Sequence, residues 1–151
     1  MFEHVGKKFY NVFFKSINKL LKNDGLFLLH TIGVVDKPSP PNKFINKYIF
    51  PGGVCPSLSQ IVKPIEKTGL IVADTETLIR HYDKTLLSWL NRFMAKKDLV
   101  KDMFDEKFVK MWSFYLASCA AAFRYRDLVV FQLQIVKNFN AARPTRDYIY
   151  S

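Results

Sequence analysis

Cysteine and histidine are scarce in this chain, which has two of the former, Cys55 and Cys119, and three of the latter among 151 residues. The cysteines lie far apart and form no CxxC, and so few imidazoles give no zinc-ligand spacing, so neither a disulfide nor a metal centre is expected. Long apolar runs are missing as well. None approaches the roughly 18 residues that a membrane-spanning helix needs, and no basic stretch leads into an apolar signal core at the N-terminus. These absences point to a cytoplasmic protein. Acidic residues are outnumbered 13 to 23 by lysine and arginine, and the net charge of +10 divides into about +5, +2 and +3 over residues 1–50, 51–100 and 101–151. No basic arm stands out. Such an excess attracts polyanions, and an anionic membrane surface is one fit, with a merely solvated basic surface as the alternative. Nucleic acid is not expected as a partner, because the basic residues do not cluster on one helix and no nucleic-acid-binding motif appears.

What is present is globular in character: 49% hydrophobic residues, 15% aromatics including 14 phenylalanines, and 24% charged. A single domain of this length can bury a sizeable core. Phe9, Phe13, Ile17 and Leu20 recur at helical spacing over residues 7–21, and "KNDG" follows, where Gly25 could take the left-handed conformation that ends a helix. "GLFLLHTI" then reads as a continuous apolar run of strand length, the pattern of a parallel strand covered on both faces. Residues 34–42 with three prolines read as a loop, and "PGGVCPS" as a second connection after an apparently helical segment. Ser57 caps a helix predicted to end at Thr68 and Gly69, kinked or shortened by Pro64. "LIVAD" makes a short strand. Helices are predicted from Thr85, with Leu86, Leu87, Leu90, Phe93 and Met94 on one side, and from about Asp105, with a stripe from Phe108 to Ala122. In "LVVFQLQIV", residues 128–136, apolar side chains alternate with Gln132 and Gln134, as in an antiparallel strand with one wetter face. Residues 138–151 read as a loose tail.

Three strands, one of them apolar throughout and none ahead of the first helix, make an incomplete sheet, because a bare strand edge is what native proteins avoid. The expected fold class is therefore α/β: the C-terminal part of a larger doubly wound sheet.

The segments "MFEHVG", "GLFLLHTIG", "NKYIFPGGVCPS", "HYDKTLLSW" and "CAAAFRYRDLVVFQ", in that order, resemble the C-terminal portion of the cyclopropane-fatty-acyl-phospholipid synthase family over nearly all of the chain, to about Gln134. The resemblance implies a Rossmann-like methyltransferase sheet with inserted helices, of which residues 1–151 are one part of a single domain. It also implies S-adenosylmethionine as cofactor and the unsaturated acyl chain of a membrane phospholipid as substrate, with the protein peripheral at the inner face of the membrane. By the same resemblance the alkene attacks the cofactor's methyl group, and a bound bicarbonate removes a proton from the resulting cation so that the ring closes. The matching motif residues for holding that ion are Glu3, His30, Ile32 and Tyr82. A fifth, a cysteine from the N-terminal half of the family, has no counterpart in Cys55 or Cys119.

These residue types suit the task. A carboxylate such as Glu3 can accept the ion's hydroxyl proton while His30, Tyr82 and a backbone N–H near Ile32 donate to its oxygens. Without the resemblance, His30 reads as a core histidine, Glu3 as a solvated charge near a terminus and Tyr82 as a boundary aromatic. The family's glycine-rich cofactor turn has no match, since the only adjacent glycines, Gly52 and Gly53, sit in a proline-bounded loop. The cofactor half is thus expected to come from elsewhere, such as a separate N-terminal chain. The competing reading is a non-enzymatic basic module that binds lipid or a membrane surface.

Overall fold

A computed structural model describes residues 1–36, 39 and 42–150. Three nine-residue strands, β1 (Leu26–Val34), β2 (Ile71–Ile79) and β3 (Leu128–Val136), form one sheet in the order β1-β3-β2. The last strand in sequence lies between the other two and is antiparallel to both, so β1 and β2 run parallel to each other. The helices are α1 (Tyr10–Leu20), α2 (Lys43–Tyr48), α3 (Leu58–Lys67), α4 (His81–Met94), α5 (Lys97–Met103), α6 (Glu106–Tyr125) and α7 (Asp147–Tyr150).

The period of two in β3 builds two cores. Val129, Phe131, Leu133 and Ile135 point to one face, where they meet Leu29 of β1, Phe2, Tyr10 and Phe14 from the N-terminal segment and α1, and Ile61 and Ile65 of α3. Leu133 and Ile135 are fully buried, each stabilising the fold by about 2 kcal/mol. Val130 points to the other face, under Leu86 of α4 and Tyr115, Leu116, Ala120 and Phe123 of α6. Gln132 and Gln134 are half-buried on that second face.

The apolar run of β1 is not a parallel strand covered on both sides. Its strand partner among the described residues is β3, antiparallel, and Leu26, Leu28 and His30 are exposed. The reason is coverage: α4 and α6 reach only as far as Ile32 on that face, which leaves the first half of the run bare. β2 runs five residues beyond its predicted end at Asp74, to Ile79. A bulge between Val72 and Asp74 interrupts the alternation that would have revealed it. Gly25 does not take the left-handed conformation. Its backbone closes a turn onto the Lys22 carbonyl at 3.0 Å, and an added Cβ would crowd Leu21 and Lys22 at 3.0 to 3.2 Å.

α3 is uninterrupted from Leu58 to Lys67 with Pro64 buried inside it. Gln60 Oε1 reaches back to accept the Ser57 N–H at 3.3 Å, and Gly69, at φ +73°, follows the helix end as predicted. The loop expected over residues 34–42 falls in part outside the described residues, and Val34 itself ends β1. Residues 138–150, expected as a tail, meet the sheet at two points: Arg146 pairs with Asp74, and Tyr148 Oη donates to Gln134 Oε1 at 2.6 Å.

α6, at 20 residues the longest helix, starts where Asp105 Oδ1 accepts the Phe108 N–H at 2.6 Å. Replacing Asp105 with alanine should cost about 1 kcal/mol, seen as a fall of about 3 °C in the thermal midpoint. An unchanged midpoint would mean that packing alone sets this helix end.

Candidate functional site

The N-terminal segment passes over the carboxyl-terminal half of β1, and its central feature is Glu3. Glu3 follows Phe2, which is buried against Tyr10 with ring centroids 4.5 Å apart and anchors the short 3-10 turn Phe2–His4. With the turn fixed, the Glu3 carboxylate lies over the strand. Its Oε1 accepts the Ile32 N–H at 2.7 Å and the Thr31 hydroxyl at 2.9 Å, and its Oε2 accepts from the Met1 ammonium at 3.0 Å. The Glu3 carbonyl accepts the Val54 N–H at 2.9 Å, tying the turn to the loop after α2. Burial by itself would raise the Glu3 pKa. Hydrogen bonds from its own amide, Ile32, the N-terminus and Thr31 outweigh that effect and hold the carboxyl below its ordinary value. Glu3 is therefore an ionised acceptor, mostly shielded from water at 19% side-chain exposure, rather than a solvated charge.

Two further groups belong to this environment. The Tyr10 hydroxyl is buried without a hydrogen-bond partner among the described residues, and its pKa is raised first by burial and then by the charge of Glu3. Burial, followed by the same carboxylate, pushes the Cys55 thiol up to about 11, which favours the protonated form at neutral pH.

The strand places the remaining residues by alternation. Ile32 and His30 point toward the α4–α6 face, where Ile32 packs against the second core and His30 is exposed opposite Gln132. His30 is therefore not a core histidine. Tyr82, in the first turn of α4, joins the same cluster, stacked on Phe123 at 5.3 Å and edge-on to Trp89 at 6.0 Å. Its neighbour Asp83 is buried and accepts from Arg124 Nε at 2.8 Å, which ties α4 to α6 beside the Tyr82–Phe123 pair. The fold thus joins Glu3 to Ile32 directly and sets Ile32 and Tyr82 in one cluster. His30 shares their face of the sheet without a hydrogen bond to any of them.

Thr31, which sequence reasoning passed over, is completely buried and binds the carboxylate. A threonine inside an apolar run is a weak signal, and its partner lies 28 residues away. Tyr10 and Asp83 were equally silent, Tyr10 as an ordinary position of the first predicted helix and Asp83 as a residue ahead of the helix predicted from Thr85.

Residues 1–133 match the family model of mycolic acid cyclopropane synthetase. The chain belongs to this family. Among curated members, the cyclopropane-fatty-acyl-phospholipid synthase of Escherichia coli K12 is 41% identical over 133 residues, covering 88% of this chain and 35% of that protein. The tuberculostearic acid methyltransferase UfaA1 of Mycobacterium tuberculosis is 34% identical over 143 residues, covering 91% and 34%. Among solved structures, the cyclopropane synthase MmaA2 of Mycobacterium tuberculosis superimposes with a TM-score of 0.82 at 30% identity, over 89% of this chain and 52% of that one. The mycolic acid cyclopropane synthase CmaA1, complexed with SAH and CTAB, gives 0.81 at 32% identity over the same shares. The chain spans about a third of the length of the curated relatives it matches. Its fold is accordingly a mixed α/β arrangement, a small antiparallel sheet with flanking helices, that corresponds to part of a Rossmann-like methyltransferase core. Among the described residues no helix is long and apolar enough to cross a membrane.

Proposed function

We propose that this chain is the C-terminal part of a cyclopropane-fatty-acyl-phospholipid synthase. It would hold the catalytic base and act only together with a segment that brings the cofactor site. The reaction is transfer of a methylene from S-adenosylmethionine to the double bond of an unsaturated phospholipid acyl chain. One observation carries the reading: the ionised Glu3 carboxylate seated on the Ile32 amide, at the end of the strand where open α/β sheets bind their ligands.

S-adenosylmethionine does not fit a site built from this chain alone. None of its six glycines forms a glycine-rich turn after a strand, and the adjacent pair Gly52 and Gly53 follows α2 instead. No step is therefore assigned through the cofactor. Bicarbonate fits the donor set in part, because a carboxylate kept ionised can accept the ion's hydroxyl. The Ile32 amide, however, already donates to Glu3, so at Ile32 the strand holds the acceptor in place rather than the ion. Glu3, His30, Ile32 and Tyr82 are the residues proposed to surround it. Bound bicarbonate would supply the base that removes the proton. Glu3 fixes which oxygen of the ion carries its hydrogen, His30 donates from the exposed face of β1, and Tyr82 presents both a hydroxyl and an aromatic face suited to a positively charged carbon. The apolar cluster around Tyr82 excludes water, which would otherwise capture a cation.

The test is complementation. The chain is mixed with an upstream segment carrying a strand and GxGxG turn, and lipids are scored by mass spectrometry for gain of one CH2. Product is expected from the mixture, none from the chain alone, and none when Glu3→Gln replaces the wild type. Micromolar binding of S-adenosylmethionine by the chain alone, or silence from two folded halves, would refute the reading.

A further inference from the structure

We propose that the face formed by α1 and α3 is the surface by which this chain seats on an anionic lipid bilayer. The inference rests on the membrane-lipid substrate proposed above and deepens it by naming the docking face.

Charge that is even along the sequence is uneven in space. From Lys7 to Lys22 the chain carries Lys7, Lys8, Lys15, Lys19 and Lys22 and no acidic residue, and all five are exposed. The inner side of this segment is fixed by Tyr10 and Phe14, both buried, so the lysines face outward by helical geometry. Alongside runs α3, with Lys63 and Lys67 exposed and Glu66 as its acid. Between the two helices lies a groove of about 430 Å³ lined by Lys7, Asn11, Ser59, Gln60, Lys63 and Lys67, with no carboxylate in its wall. None of these lysines forms an ion pair among the described residues.

The other lysine-rich stretch has a different character. Around α5 and the start of α6, Lys97, Lys101, Lys107 and Lys110 alternate with Asp98, Asp102, Asp105 and Glu106, and Glu106 pairs with both Lys101 and Lys110. That stretch is close to neutral.

A bilayer, rather than nucleic acid, is the occupant because of what lies among the lysines. Phe9, Val12 and Leu20 are 60%, 59% and 82% exposed. A phosphate backbone gives such side chains nothing, whereas the boundary between lipid headgroups and acyl chains takes them in while the lysines meet the phosphates.

The full chain is sedimented with vesicles of mixed phosphatidylcholine and phosphatidylglycerol, and with phosphatidylcholine alone. Binding is expected only to the mixture, weakening as salt rises. The triple variant Lys8→Gln, Lys15→Gln, Lys19→Gln should lower partitioning about a hundredfold, and Phe9→Ser roughly tenfold, the latter also at high salt. The control Lys97→Gln, Lys101→Gln, Lys107→Gln should behave as wild type, with circular dichroism establishing that every variant is folded. The proposal is overturned if wild type ignores the anionic vesicles or if the control triple loses as much as the α1 triple. It is equally overturned if duplex DNA displaces the vesicles while Phe9→Ser has no effect, which would mark a nucleic-acid face. Intact vesicle binding beside a failed complementation assay would refute the enzymatic reading and leave this surface in place.

Discussion

Gly33→Ala should destabilise the chain by about 3 kcal/mol, lowering the thermal midpoint by about 10 °C. A methyl group at this position would lie 2.3 Å and 2.5 Å from ring carbons of Phe131 and 2.7 Å from the Pro56 carbonyl oxygen. Neither neighbour can retreat. Phe131 is buried in the core under α1 and α3, and Pro56 O accepts the Val34 N–H at 3.0 Å, so moving it breaks the contact that closes the end of β1. The double variant with Phe131→Leu separates the two causes. It should recover part of the loss while the clash with Pro56 remains, a coupling that thermal melts of the single and double variants measure directly. A midpoint within 1 °C of wild type for Gly33→Ala would show that the strand moves freely here, contrary to this account.

The second large effect belongs to Glu3. Glu3→Ala removes the acceptor of a fully buried hydroxyl, Thr31, and of the Ile32 amide, and should cost about 3 kcal/mol. Glu3→Gln keeps one acceptor oxygen but loses the charge, for a cost of about 1 kcal/mol at neutral pH. The pH dependence distinguishes this role from simple packing. Because the folded-state pKa lies below the ordinary 4.5, the carboxylate's contribution is fully present above that value. It declines as the pH falls through it and is gone below the lowered folded value. Urea titrations from about pH 6 to pH 3 should therefore show the wild-type advantage over Glu3→Gln fading with acid. An advantage that stays constant across this range would contradict the assignment.

How much of this was legible in the sequence depends on how local each signal is. β3 appears in the structure at residues 128–136, as its alternation required, because a strand between two others, with helices over part of each face, leaves its mark on every second residue. The start and end of α3 were readable for a similar reason, since Ser57 and Gly69 act within a single turn, whereas α1 has no side-chain cap and begins at Tyr10, three residues after its predicted start. β1 misled because composition records how apolar a strand is, not what covers it. Leu26 and Leu28 carry the pattern of burial while the described residues leave them 45% and 50% exposed. The site was legible only through motif resemblance. Glu3 and Ile32 are 29 residues apart, and nothing in either neighbourhood announces the other. Thr31, Tyr10 and Asp83 acquire meaning only when the chain folds back on itself.

The bonds at the end of β1 also decide how the sheet can grow. Ile32 and Val34 send their amides to the edge away from β3, and both are taken, one by the Glu3 carboxylate and the other by the Pro56 carbonyl. Any strand joining that edge finds its ladder closed at Ile32 and must pair along the residues before Thr31. The carboxylate is thus a terminus for strand addition, limiting how far along β1 a further strand could pair.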